Sequence, residues 1–142
     1  MNQREKAKRF VELHVRGAPL LLYNAWDAGS AKAMLAADAQ AIATSSWSVA
    51  EAQGYRDGEV IPVAFALEIV GRIAATIEAP VTVDFEGGYS EDDGELADNI
   101  SRLLDTGVIG IKDTRQINCC DLAVTAVGWC SSNQDGTGHP LG

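Results

Sequence analysis

Hydrophobic and polar positions alternate along this chain in a pattern that predicts a layered α/β protein. Four short apolar runs, at residues 20–23, 41–44, 81–84 and 108–111, are separated by longer stretches of mixed character. The length and apolar content of the runs predict strands, and the stretches between them have the spacing of amphipathic helices. Strands that alternate with helices predict a parallel sheet covered by helices.

The predicted helices have recognisable start and stop signals. They cover residues 3–16 and 28–37, a segment that begins near Pro62, and a segment that begins at Asp92 or Asp93 and ends before Gly107. Proline suits the first helical turn, aspartate suits the N-cap, and glycine suits the position after the last turn. Two segments predict loops: the polar residues 24–27, and residues 45–58, which contain Gly54, Asp57 and Gly58.

The third predicted strand is followed by acidic and flexible positions. It ends at Asp84, and Glu86, Gly87 and Gly88 come next. Residues two apart on a strand point the same way, so we expect Asp84 and Glu86 to project together from its carboxyl end. Two such oxygen ligands suit Mg²⁺, which binds few carboxylates and keeps several waters. A solvated acidic loop is the alternative interpretation, and the pattern by itself slightly favours it over a metal site.

Polar side chains also follow the other predicted strands. Asp27, Ser45 and Asp57 stand after strand ends, as Asp84 and Glu86 do. In folds built from strand–helix units, the carboxyl ends of the strands form the face that binds ligands. Taken singly, Ser45 is more typical of a helix cap and Asp57 of a turn, so only their joint occurrence indicates a site.

Composition and charge narrow the class of protein. The 142 residues are 46% hydrophobic and 22% charged, and the net charge is −9. This negative charge argues against nucleic acid or an anionic membrane as a partner. No apolar run approaches the roughly 20 residues of a membrane span, and no secretory signal follows the charged start. We therefore expect a cytoplasmic protein.

Four motifs together resemble a known superfamily. Residues 22–31, 43–46, 54–58 and 83–89 look like the isocitrate lyase and phosphoenolpyruvate mutase superfamily, in its short mutase-like branch. The resemblance implies a (β/α)₈ TIM barrel and an Mg²⁺-dependent site, which Mn²⁺ would also suit. It implies a lyase or phosphonomutase that acts through an enolate on a small 2-oxo acid or phosphoenolpyruvate-like substrate.

The superfamily's Asp-x-Asp-x-Gly-Tyr motif has a counterpart in this chain. The resemblance implies that Asp84 is the metal-binding aspartate and that Glu86 stands where many members have a second aspartate. Gly88 and Tyr89 complete the motif on the substrate-binding side. This position implies a contact with the metal through water, although the reach of the glutamate side chain differs from that of aspartate by one methylene.

The resemblance also implies roles for the loops after the second strand. Ser45 matches a serine that holds the substrate's carboxylate or phosphoryl group, with help from the backbone amides of Ser46 and Trp47. Asp57 matches a loop aspartate near the transferring group in the mutases. Trp47 and Ser48 replace residues that are often small in the family, so this wall of the pocket is expected to differ.

The resemblance ends near residue 111. Where the family's fourth strand continues into a Glu-Asp pair, this chain has Lys112 and Asp113. Residues 112–142 have no sustained period and contain Cys119, Cys120 and Cys130, whose spacing does not match paired zinc ligands. We therefore expect residues 1–111 to form about four βα units, and residues 112–142 to be a non-family tail, either disordered or frameshifted.

Two function hypotheses follow from this division. The chain is either a Mg²⁺-dependent enzyme of this superfamily or a non-catalytic truncated remnant that binds metal weakly or associates with itself. A barrel of this kind has about 250 residues, so four units would leave open sheet edges and an uncovered inner face. Such surfaces favour association, and we expect a homo-oligomer.

The abrupt loss of periodicity predicts a frame change near Lys112. Translation of the gene in its other two frames from codon 105 should give a Glu-Asp pair within a few residues, followed by further βα periodicity. Nucleotide sequencing of this region tests the prediction. Early stop codons in both alternative frames would contradict it.

Overall fold

The structure, a computed structural model, describes residues 1–112. The expectations for the rest of the chain, including Asp113 and the thiols of Cys119, Cys120 and Cys130, lie outside the described residues. The division of the chain at residue 111 stays a prediction.

A parallel sheet of four strands organises the described part of the chain. The strands are β1 (Tyr23–Ala25), β2 (Ile42–Thr44), β3 (Val81–Asp84) and β4 (Gly110–Lys112). They lie in the order β1-β2-β3-β4, and each neighbouring pair is parallel. Parallel neighbours need crossover connections, which the helices supply. The predicted α/β class with a parallel sheet is confirmed.

Within residues 1–112, five helices pack around this sheet. They are α1 (Gln3–Glu12), α2 (Ala28–Ala36), α3 (Ser46–Ala52), α4 (Val63–Thr76) and α5 (Asp93–Asp105). Polar side chains set where several of them begin: Asn2, Asp27 and Asp92 each accept a hydrogen bond from a backbone N–H of the first turn. No helix within residues 1–112 is both long and apolar enough to cross a bilayer.

The first predicted strand is displaced in the structure. β1 begins at Tyr23, so Asn24 and Ala25, which were predicted to lie in a loop, pair with β2. The apolar residues Leu20 and Leu22 instead pack against a small cluster around Phe10. Their hydrophobicity therefore reflects burial beside α1 and not ladder pairing.

Three further boundaries differ from the prediction. The loop predicted over residues 45–58 contains α3, which buries only Val49 and Ala50 and so gives a weak periodic signal. The helix predicted over residues 3–16 ends at Glu12. The fourth strand pairs at Gly110–Lys112, two residues later than its apolar run begins. Val108 and Ile109 are fully buried ahead of it, and the Ile109 N–H donates to the Val81 carbonyl at 2.9 Å.

The two faces of the sheet have different partners. Ile42, Val81 and Val83 point into the main core, where they meet α4 residues such as Ile73. On the opposite face, one register row runs across all four strands through Asn24, Ala43, Thr82 and Gly110. This alternation follows from the two-residue period of strands, and it separates an apolar face from a face with polar positions.

Helix α1 closes the amino-terminal ends of the strands. Phe10 is fully buried with Ala7, Ala41 and Ile109, and the last two residues lie just before β2 and β4. The buried ammonium of Lys6 donates to the carbonyl of Ile77 at 2.8 Å. A cation suits the carboxyl end of a helix, so this contact fastens α1 to the end of α4. Helix α1 therefore does not cover the carboxyl ends of the strands.

Truncation of Phe10 should destabilise the whole domain. We expect Phe10→Ala to lower the free energy of unfolding by about 3–5 kcal/mol, because a buried aromatic ring is replaced by a cavity. The neighbouring Val11 is 46% exposed, so Val11→Ala is the matched control and should change stability by less than about 0.5 kcal/mol. Urea denaturation measures both. Equal effects would contradict the assigned role of α1.

Candidate functional site

A pocket opens at the carboxyl ends of the four strands, and we call it the strand-end pocket. Its polar lining comes from every strand: Asn24 from β1, Thr44 and Ser45 from the end of β2, Asp84 from β3 and Lys112 from β4. The remaining lining is mostly small or apolar, and the volume is about 240 Å³. This volume lies just below the roughly 300–1,000 Å³ of typical ligand pockets, so it suits a small molecule.

The register of the strands decides which side chains meet in this pocket. Asp84 is paired with Lys112, and the Lys112 Nζ atom lies 3.4 Å from Asp84 Oδ2. The Thr44 hydroxyl accepts a hydrogen bond from the Asp84 backbone N–H at 3.2 Å. The Asp84 side chain is 12% exposed and that of Lys112 is 61% exposed. The carboxylate is therefore held within the pocket, while the ammonium sits at its rim.

A glycine keeps the floor of the pocket open. A Cβ atom on Gly110 would lie 3.1 Å from the Thr82 Cγ2 atom on the neighbouring strand. This separation is shorter than an ordinary carbon–carbon contact, so a larger residue would displace Thr82 or fill the space. The close approach of β3 and β4 and the open pocket both depend on Gly110.

The backbone turns away immediately after Asp84. β3 ends there, and Glu86 and Tyr89 have positive φ values of 51° and 63°. Glu86 is therefore not on the strand, which corrects the predicted alternation of Asp84 and Glu86. Its backbone N–H still faces Asp84 Oδ1, at 3.4 Å. The side chain lines a second pocket of about 400 Å³ with Glu59 and Tyr89.

The turn of residues 86–89 is held from two directions. One oxygen of the Glu59 carboxylate accepts hydrogen bonds from the backbone N–H groups of Gly87 and Tyr89, both at 2.8 Å. From α5, the buried amide of Asn99 donates to the Gly88 carbonyl at 3.0 Å. The turn therefore links the loop before α4 to the helix after β3.

Burial and neighbouring charges perturb the acids of the second pocket. Burial raises the pKa of Glu86, and the negative charge of Asp57 raises it further. A backbone N–H of Glu59 partly offsets this increase. Burial, followed by the charge of Glu86, raises the pKa of Tyr89, so its phenol keeps its proton at neutral pH. The Glu86 Oε1 atom is buried and has no hydrogen-bond partner within residues 1–112.

The predicted substrate-binding residues after β2 lie at the start of α3. Ser45 is the N-cap, but its side chain makes no capping hydrogen bond and lines the strand-end pocket. Ser46 and Trp47 form the first helical turn, where backbone N–H groups have no acceptor within the helix. Trp47 is 58% exposed. Asp57 lies in the turn of residues 57–59, and its negative charge raises the pKa of Glu86.

Sequence reasoning missed several residues that shape the two pockets. Asn24 was assigned to a loop, and its place at the end of the first apolar run was the available signal. Thr44 and Lys112 are the last residues of β2 and β4. From the sequence, Thr44 was treated only as a strand residue, and Lys112 only as a position where the chain departs from the family pattern. Glu59 had no local signal, because its partners are about 30 residues away along the chain.

Comparison with protein families gives a match over most of this chain. The model of the family described as phosphoenolpyruvate phosphomutase matches residues 10–123. An uncharacterized protein of Mycobacterium tuberculosis is 35% identical over 117 residues, which are 82% of this chain and 45% of that protein. The chain therefore spans about half the length of the curated relatives it matches.

Solved structures agree with this match. A proposed phosphonomutase from Burkholderia cenocepacia is 47% identical, with a TM-score of 0.73. The match covers 75% of this chain and 44% of the phosphonomutase chain. A proposed lyase/mutase from the same organism is 30% identical with a TM-score of 0.70, covering 77% and 38%. A phosphonopyruvate hydrolase bound to oxalate and Mg²⁺ shares the fold at 17% identity and a TM-score of 0.68, covering 78% and 38%. The superfamily resemblance is confirmed.

The raised pKa of Glu86 predicts a pH-dependent stability. A carboxyl group whose pKa is raised by folding opposes folding when ionised, so the native state should gain stability as the pH falls through the raised pKa towards the ordinary glutamate value of 4.5. Glu86→Gln removes this charge. We expect the variant to be more stable than the wild type at pH 7.5, with a difference that shrinks towards pH 4.5.

Chemical denaturation at several pH values, in the presence of a chelator, measures this difference. Glu51→Gln is the matched control, because Glu51 is exposed on α3. Its effect should not vary with pH. A pH-independent effect of Glu86→Gln would contradict the electrostatic origin assigned here.

Proposed function

This chain belongs to the phosphoenolpyruvate phosphomutase family, and on that premise we propose that the strand-end pocket binds a small 2-oxo acid or phosphoenolpyruvate-like substrate. The reaction would be that of an Mg²⁺-dependent lyase or phosphonomutase. The observation that supports it most is the convergence of Asn24, Ser45 and Asp84 on one small pocket at the carboxyl ends of parallel strands.

The lining of the pocket suits a small anionic substrate. The hydroxyl of Ser45 and the side-chain amide of Asn24 are donors that suit a carboxylate or phosphoryl oxygen. The backbone N–H groups of Ser46 and Trp47, at the start of α3, would assist Ser45. Donors fixed in place before the reaction stabilise negative charge as it develops, in the manner of an oxyanion hole.

The acids near the pocket fit Mg²⁺ if water and substrate complete the coordination. Within residues 1–112, no three Asp, Glu, His or Cys side chains are grouped to hold a metal ion together. Mg²⁺ is commonly held by one or two carboxylates, several waters and the substrate, so Asp84 and Glu86 suffice as the protein's share. The unpartnered Glu86 Oε1 atom supports this assignment, because a buried carboxylate oxygen needs a donor or a cation.

The bound metal would supply Lewis-acid stabilisation of an enolate. Asp84 would orient the metal, since the Thr44 hydroxyl fixes its backbone and its side chain is mostly shielded from solvent. Asp57 would act near the transferring group, and its charge already reaches Glu86. Gly88 and Tyr89 would complete the substrate side, with the Tyr89 phenol available as a neutral donor. Oxalate and Mg²⁺ bound to the phosphonopyruvate hydrolase support this pairing of ligand and metal.

One contact favours the alternative of a non-catalytic protein that binds metal weakly. The ammonium of Lys112 already neutralises Asp84 from 3.4 Å. A divalent cation would have to displace or tolerate this charge. Self-association into a homo-oligomer belongs to the same proposal, because Tyr23 leaves an aromatic side chain half exposed on the edge strand β1. A cytoplasmic location stays a prediction.

Metal titration of matched variants tests the proposal. We expect weak binding of Mg²⁺ or Mn²⁺ by the wild type and at least about tenfold weaker binding by Asp84→Asn, because one ligand charge is lost. Lys112→Met should bind up to about fivefold more tightly, the range expected from removing an exposed ion pair. Lys32→Met removes an exposed charge on α2 and should have no effect. Calorimetry measures all four affinities.

Turnover separates the two candidate functions. Oxaloacetate, methylisocitrate and phosphonopyruvate are assayed with the wild type and with Asp84→Asn. Turnover by the wild type that disappears in Asp84→Asn supports the enzyme, whereas metal binding without turnover supports the alternative. Metal binding that does not depend on Asp84 would contradict the site assignment altogether.

A further inference from the structure

The loop of residues 57–59 and the turn of residues 86–89 are joined by a single carboxylate. Glu59 Oε1 accepts from the backbone N–H groups of Gly87 and Tyr89, each at 2.8 Å. Both bonds are charge-assisted, and they connect positions 28 and 30 residues apart in the chain. The Glu59 side chain thus connects the loop before α4 to the turn after β3 through these two hydrogen bonds.

The backbone conformation on both sides depends on such a link. Glu59, Glu86 and Tyr89 have positive φ values of 60°, 51° and 63°. Residues with a Cβ atom adopt this region rarely, and they persist there only when the surroundings fix them. The Glu59 carboxylate fixes the N–H groups on either side of Gly88, while the buried Asn99 amide fixes the Gly88 carbonyl. Without the Glu59 carboxylate, the N–H groups of Gly87 and Tyr89 would lose this acceptor, whereas the bond from Asn99 and the bond from the Gly88 N–H to the Phe85 carbonyl, at 2.9 Å, would remain.

The position of the turn sets the position of an acid. Glu86 immediately precedes Gly87, so the peptide that Glu59 holds is the one that leaves Glu86. On its other side, the Glu86 backbone N–H faces Asp84 Oδ1 at 3.4 Å. The backbone is therefore held on both sides of Glu86, by Asp84 at the end of β3 and by Glu59.

We infer that Glu59 is a positioning residue, whose carboxylate holds the 86–89 turn and thereby sets the place of Glu86 relative to Asp84. The inference rests on the proposed function in so far as the two acids hold a metal, and its structural part is independent of the metal. Glu59 acts through its acceptor oxygen and not through its charge alone.

Two substitutions separate geometry from charge. Glu59→Gln removes the charge and keeps an acceptor oxygen of the same reach, whereas Glu59→Ala removes both, and neither changes the requirement for positive φ. Glu51→Ala removes the same charge from an exposed position on α3 and serves as the control. Each variant is made in the full 142-residue chain.

Amide hydrogen exchange, followed residue by residue by NMR, tests the structural part. We expect exchange at Gly87 and Tyr89 to be about tenfold faster in Glu59→Ala, because a charge-assisted hydrogen bond is lost. Exchange in Glu59→Gln should fall between the wild type and Glu59→Ala, because the amide oxygen still accepts both bonds but without the charge. Glu51→Ala should stay close to the wild type. Exchange at Ile42, in β2, reports whether the fold is intact. Unchanged exchange in Glu59→Ala, or equal acceleration in both Glu59 variants, would overturn the inference.

Mn²⁺ affinity, measured on the same variants, tests the consequence for the site. We expect the dissociation constant to rise several-fold more in Glu59→Ala than in Glu59→Gln, since only the former releases the turn. Faster exchange with equal Mn²⁺ affinities would overturn the role at the site. If the wild type binds no Mn²⁺, the proposed metal function fails, and the exchange data alone decide whether Glu59 positions the turn.

Discussion

The pairing of β3 with its two neighbours is the constraint on which the rest of the structure depends. Thr82 lies opposite Gly110 and Asp84 lies opposite Lys112, while Val81 lies opposite Ile42 on β2. A shift by one residue would turn Val81 out of the core and Asp84 away from the pocket, because side chains alternate along a strand. The same ladder therefore determines the hydrophobic core and the polar pocket.

The two ends of this sheet are used differently. At the amino-terminal ends, α1 buries Phe10 and brings the Lys6 ammonium onto the carboxyl end of α4. At the carboxyl ends, the chain leaves small residues, hydroxyls and carboxylates around open space. Separation of packing from polar chemistry lets charged groups remain near water, where their desolvation costs less. Glu86 is the exception, since part of its carboxylate is buried without a hydrogen-bond partner among residues 1–112.

Charge balance at the pocket connects the proposed function with its alternative. The charges of Asp57 and Glu59 repel the carboxylate of Glu86, which favours a cation or a proton at Glu86. Lys112 offers Asp84 a built-in cation instead. That ammonium lies at an exposed rim, so its attraction to Asp84 is weak, and a metal bound as proposed would compete with it. Under the proposal, metal affinity would depend on a balance between this lysine and the neighbouring acids.

The sequence by itself determined the α/β class, the strand Val81–Asp84, a helix that begins near Pro62, a helix that begins at Asp92 or Asp93, and the superfamily, because these depend on local periodicity, caps and motifs. Only the tertiary structure decided that β1 begins at Tyr23, that Glu86 leaves the strand, and that Lys112 meets Asp84. It also brought Glu59 to the turn after β3. These features arise from contacts between positions far apart in the chain. Local sequence patterns do not determine which distant groups a side chain contacts.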